Sequence, residues 1–155
     1  YLVTLLRYGA LHLSVETRAV LKSARERYGH AVVDGTAWYW PAHENPASRR
    51  HQPDEGVRLL APFDPVVWDR RRFEMLWNWT YRFEAYVPAP KRTMGHYALP
   101  VLWGEQVVGW ANVRRERGGL VPQLGFAAGQ PKGIAFKRAL DEELARFEVF
   151  LTQES

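Results

Sequence analysis

The sequence predicts an α+β protein: a partial winged helix (one helix plus a β-hairpin wing), then a small antiparallel β-barrel, then an amphipathic C-terminal helix. Three observations carry this. A capped apolar stripe at helical spacing runs directly into an Asp-Gly hairpin signal. From Tyr81 onward, short alternating segments are joined by tight glycine turns. Residues 132–153 then return to a helical period.

The elements follow in order. Leu2, Leu5, Leu6 and Ala10 recur at helical spacing, so a helix is expected to end near Gly9. Ser14 caps a second helix with Glu16 in its first turn. Its stripe is Val20, Leu21, Ala24 and Tyr28, and Gly29 stops it. Strands at 30–33 and 36–40 flank Asp34-Gly35, with Trp38 and Trp40 on one face of the second. Residues 1–41 thus form a partial winged-helix unit. Residues 42–57, polar and proline-containing, form the linker. A domain over 58–131 begins with a short strand and a helix over 65–77. Asp64 caps that helix, Pro65 occupies its first position, and Phe63 and Trp68 hold the two staple positions. Strands are expected over 81–87, 96–103, 106–113 and 120–126. The first is read with Tyr81, Phe83 and Ala85 on one face and Arg82, Glu84 and Tyr86 on the other. The closing helix carries Phe136, Leu140, Leu144, Phe147 and Leu151 on one stripe.

Composition excludes several classes. The 155 residues are 46% hydrophobic and 25% charged, which describes a folded domain and excludes global disorder. Cysteine is absent, so a thiolate nucleophile, a disulfide scaffold and a Cys-ligated metal are excluded. The five histidines form no HExxH or i, i+4 pair, and no P-loop, GxGxxG or GxSxG occurs, so neither metal nor cofactor is expected. No run is long and apolar enough to span a membrane, and a cytoplasmic location is expected. The chain opens on Tyr1 with no initiator Met and no basic leader, which suggests that part of the protein lies upstream.

The net charge is +4, and seventeen of the 21 basic residues are Arg, the better fork for phosphate. Residues 61–131 hold nine basic and six acidic side chains, whereas 132–155 hold four basic and five acidic. Three clusters are candidates for DNA contact. Arg70-Arg71-Arg72 fans about 100° per residue around a helix, so at most two of the three face one partner. The third must pair with an acid such as Glu74 or stack on an aromatic ring. Lys91 and Arg92 lie in a loop stiffened by Pro88 and Pro90, with Tyr86, His96 and Tyr97 nearby in sequence. Arg114, Arg115 and Arg117 mark a hairpin tip. In each case the competing reading is a solvated surface. Asp64 and Asp69 could be imagined as paired catalytic carboxylates, but capping accounts for the first, and arginines surround the second.

The strings Leu59-Leu60-Ala61-Pro62-Phe63-Asp64-Pro65-Val66-Val67-Trp68-Asp69, Tyr81-Arg82-Phe83-Glu84-Ala85-Tyr86-Val87-Pro88-Ala89-Pro90-Lys91-Arg92 and Gly95-His96-Tyr97-Ala98-Leu99-Pro100-Val101-Leu102-Trp103-Gly104 resemble the bacterial winged-helix DNA glycosylases of the YcaQ/AlkZ type. These excise alkylated bases and unhook interstrand crosslinks. The resemblance covers about residues 1–120. It implies tandem winged helices followed by a β-barrel, with this chain as the C-terminal portion. Its implied partners are double-stranded DNA and an N-terminal winged-helix region of the same protein. The DNA-binding set is then Arg70, Arg71, Lys91, Arg92, His96, Arg114, Arg115 and Arg117. The family's catalytic Gln-x-Gln or Gln-x-Asp lies in its N-terminal region, so no catalytic residue is expected here. Gln52-Pro53-Asp54 matches those letters only within the linker. This chain departs from the family at Trp110 and Asn112, where an Arg and an Asp are expected. Two other functions compete: a non-catalytic winged-helix regulator using the barrel as a dimer or ligand module, and a barrel that merely buttresses the rest of the protein.

Overall fold

A computed structural model describes residues 22–23 and 26–153, and the chain divides into two compact units, Tyr1–Gln52 and Pro53–Ser155. The helices expected before Gly29 lie largely outside the described residues. In the first unit, strands β1 (Tyr28–Val33) and β2 (Thr36–Pro41) form an antiparallel hairpin. Asp34 and Gly35 turn it with φ of 49° and 73°, the double positive pair that a two-residue hairpin loop requires. Opposite each other on the strands, His30 and Tyr39 stack with ring centroids 5.9 Å apart. Gly29 faces Trp40, whose indole occupies the space a Cβ would need. Beyond the hairpin the polar stretch is locally organised. Around a 3-10 turn at Arg49–His51, the Glu44 carboxylate accepts from Arg50 and lies 3.3 Å from the His51 ring.

The second unit is built on a four-stranded sheet in the order β3 (Val57–Leu59), β4 (Leu99–Trp103), β5 (Gln106–Glu116), β6 (Gly119–Phe126), antiparallel throughout. Residues 60–98 leave the sheet after β3 and return as β4. They begin with helix α1 (Pro65–Trp68), continue through α2 (Arg70–Trp77), and end in an irregular stretch. Helix α3 (Ile134–Gln153) closes the chain. Each sheet face has its own core. Leu60, Val67, Phe73, Tyr81, Ala98 and Val107 pack on one side. Val57, Val101, Ala111, Phe136 and Leu140 pack on the other, beneath α3. No helix among the described residues is long and apolar enough to cross a membrane.

Three expectations are corrected. The helix over 65–77 is two helices, because Asp69 adopts an extended conformation (φ −82°, ψ 91°) between them. Asp69 ends the first and caps the second by accepting from the Arg72 amide at 3.2 Å. The strand over 81–87 is absent, and that stretch is irregular. The barrel does not close either. The outer edge of β3 is occupied by α3: Glu143 accepts from the Leu59 amide at 2.7 Å, and Arg146 donates to the Val57 carbonyl at 3.2 Å. An edge strand whose backbone groups are satisfied by side chains has no need of another strand. The architecture is therefore an open sheet flanked by helices.

Candidate nucleic-acid interface

The irregular stretch from Trp79 to Ala98 is fixed at both ends. Asp64 starts the α1 segment, its carboxylate accepting from the Val66 amide at 2.8 Å. Arg70 then donates to the Val67 and Pro62 carbonyls at 2.5 and 2.9 Å, and its guanidinium lies 4.5 Å from the centre of the Tyr81 ring. Tyr81 is buried and donates to the Ala98 carbonyl at 2.7 Å, which pins the start of the loop to its end. Burial pushes the Tyr81 phenol up to about 12, against the opposing pull of Arg70. Burial likewise lowers the guanidinium of Arg70. Arg70 is thus the member of the arginine triplet that stacks on an aromatic. Arg71 stays exposed, and Arg72 donates to the Pro65 carbonyl.

The centre of the loop is held by Glu84. Its side chain is 4% exposed, yet it carries four hydrogen bonds. Thr93 donates its amide at 2.8 Å and its hydroxyl at 2.9 Å, and the Met94 and Gly95 amides donate at 2.7 and 3.2 Å. Burial alone would raise this carboxyl, but the four donors outweigh it and hold it below the ordinary range. Asn112 on β5 completes the brace by donating to the Met94 carbonyl at 2.7 Å. A side chain at Gly95, where φ is 115°, would collide with that amide at 2.5 Å. Arg92 donates Nε to the Val87 carbonyl at 2.7 Å, closing the loop around a 3-10 turn at Ala89–Lys91.

The braced loop carries three of the sequence candidates. Lys91 and His96 are exposed, and Arg92 is half-buried, its Nε committed to Val87. Arg70 joins them at the loop's base through Tyr81. At the hairpin tip the three arginines divide by strand alternation. Arg114 shares a sheet face with Asn112, and so with the loop, and lies 3.9 Å from Glu116. Arg115 faces the opposite way, 3.8 Å from Glu148 of α3, and Arg117 is exposed in the turn. Arg71 is carried on α2.

The residues that sequence reasoning missed are the braces. The sequence reading sets Glu84 beside Arg82 and Tyr86 on one face of a strand, whereas the irregular backbone turns it inward to serve amides that no strand pairs. Its signal was local: a single acid among aromatics, nine residues before a Thr-Met-Gly string. The two departures from the expected family pattern also acquire structural roles. Trp110 stacks on Trp79 with centroids 6.0 Å apart and planes 12° off parallel, and lies over Gly125, which cannot bear a Cβ there. Asn112 braces the loop. Asp54 of Gln52-Pro53-Asp54 is committed to the turn before β3, accepting from Arg58 at 2.5 Å and the Gly56 amide at 2.9 Å.

No solved structure matches the chain. A family model does: that of the AlkZ-like DNA glycosylases, over residues 6–150. A match of that length, on a chain whose sheet presents a braced cationic loop, shows that the protein belongs to the AlkZ-like DNA glycosylase family.

Proposed function

We propose that this chain is the DNA-holding and scaffolding portion of a base-excision glycosylase acting on alkylated or crosslinked bases in double-stranded DNA. The catalytic Gln motif then lies outside these residues, in a winged-helix region of the same protein. The β1–β2 hairpin is the wing of a winged-helix unit within residues 1–41, and 42–57 links it to the sheet domain. The observation that carries this reading is the Glu84-braced loop. Residues 79–98 contain three formal cations, Arg82, Lys91 and Arg92, and one acid, Glu84, which is buried with its oxygens occupied. The loop therefore presents positive charge with no exposed carboxylate of its own, and Arg92, bonded to the Val87 carbonyl, is held in place before DNA arrives.

In the proposed division of labour, Lys91, Arg92 and His96, with Arg114, Arg117 and Arg71 alongside, contact phosphate. Arg70 contributes mainly by holding the surface together, since its guanidinium already meets two carbonyls, and Arg115 contacts phosphate from the opposite sheet face. Phosphate contacts fix the register of the duplex, and a base elsewhere activates water as the deoxyribosyl cation leaves. The purified 155-residue chain is expected to bind duplex DNA and to release no alkylated base. Release above a vector-only control would place the catalytic residues within this chain.

A further inference from the structure

Beside the cationic loop lies a group of rings that no packing requirement explains. Tyr86 is 92% exposed, Phe63 66% and Tyr97 49%. All three contact Phe83, at centroid distances of 6.2, 5.5 and 5.2 Å and interplanar angles of 84°, 67° and 87°. Phe83 itself packs against the core of Leu60, Val67, Phe73 and Tyr81, so the outer rings rest on a fixed base. Among the described residues, no ring lies parallel to Tyr86, and most of its surface is open to solvent. The cations lie in the same short turn: Arg92 donates Nε to the carbonyl of Val87, the residue after Tyr86, and Lys91 immediately precedes Arg92, its backbone amide bonded to the Pro88 carbonyl at 2.8 Å.

We infer that Tyr86, backed by Phe83, is a stacking platform for an unpaired base of a DNA strand, with Lys91 and Arg92 holding the phosphates of that strand. The inference rests on the reading that this loop binds DNA, and it adds the form of DNA that the loop prefers. An aromatic face takes any base by stacking, and the positive rim supplies the charge that the attached phosphates require. The face of a base in a matched duplex is covered by its neighbours. The platform is therefore usable only where a strand is single or a base stands outside the helix. An apolar protein partner would not need a rim of cations without a carboxylate.

The test measures the affinity of the whole chain for three DNAs of equal length: a matched duplex, a duplex with one extra unpaired base, and a single strand. The unpaired base is 2-aminopurine, whose fluorescence is quenched on stacking. Tyr86→Ala should weaken binding to the single strand and the bulged duplex by about 5- to 100-fold and abolish the quenching. It should change matched-duplex binding less than about two-fold, because a phosphate-held duplex makes no use of the ring. Tyr86→Phe should retain both affinity and quenching, since stacking needs the ring and not the hydroxyl. Thermal melts check folding, which so exposed a side chain should not affect. Unchanged affinity of Tyr86→Ala on all three DNAs, or an equal loss on all three, would overturn the platform. If the platform alone is wrong, the wild type still binds matched duplex and Lys91→Ala/Arg92→Ala still weakens it. If the loop does not bind DNA at all, the double variant matches the wild type on every DNA, and both readings fall.

Discussion

Glu84 offers a stringent test of how the loop is held. In Glu84→Ala, the amides of Thr93, Met94 and Gly95 and the Thr93 hydroxyl lose their acceptor. A hydrogen bond to a charged group contributes about 1.5–3 kcal/mol, but three of these donors share one oxygen, and water reaches exposed Thr93 and half-buried Met94 and Gly95 once the carboxylate is gone. The net cost should therefore be about 3–5 kcal/mol, well below the simple sum. Glu84→Gln separates charge from geometry. Its amide oxygen can serve the three backbone donors and its NH2 can donate to the Thr93 hydroxyl, so the bond count survives and about 1–2 kcal/mol is lost. The two variants also differ in pH response. Because the folded carboxyl is held below its unfolded value, the charge contributes stability above the ordinary value of 4.5, and loses it as pH falls below that value. The gap between wild type and Glu84→Gln should then narrow in acid. Urea denaturation of the three proteins, near neutrality and below the ordinary glutamate range, measures all of this. A Glu84→Ala variant within about 0.5 kcal/mol of wild type, or a gap to Glu84→Gln that widens in acid, would refute the brace.

Two further residues give simple outcomes. Asp64→Ala removes the cap on the Val66 amide and should cost about 0.5–2 kcal/mol in denaturation, while duplex affinity at temperatures where the variant is folded stays unchanged. Tyr81→Phe deletes the bond to the Ala98 carbonyl and leaves that acceptor unpaired, at about 1–3 kcal/mol. It should also remove from an ultraviolet titration the phenol that ionises late, near 12.

Where local chemistry decides the conformation, the sequence was a good guide. Asp34-Gly35 can hardly be anything but a two-residue turn, and Asp64-Pro65 marks a helix start by backbone chemistry alone. The β4, β5 and β6 strands and the final helix follow from periodicity. The failures came where one segment's needs are met by another. Alternation over 81–87 resembles a strand, but the stretch has no strand partner, and Glu84 turns inward to serve amides nine to eleven residues away. Closure of the sheet depends on what reaches the β3 edge, and Glu143 is 84 residues from Leu59. The basic residues of the candidate interface were visible as composition. Which of them is committed internally, as Arg70 is, required the fold.

The most direct measurement of the central claim is a salt titration of matched-duplex binding by the wild type and Lys91→Ala/Arg92→Ala. Each phosphate contact releases about one condensed counterion, so loss of both should flatten the slope of log affinity against log salt by about 2. The loss should be similar for unrelated DNA sequences, because phosphate contacts position a protein without reading bases. Lys91 is exposed, but Arg92→Ala also removes the bond to the Val87 carbonyl, at about 0.5–1.5 kcal/mol, so binding is compared at temperatures where the double variant is folded. An unchanged slope in the folded double variant would contradict the account and leave the sheet domain as a buttress.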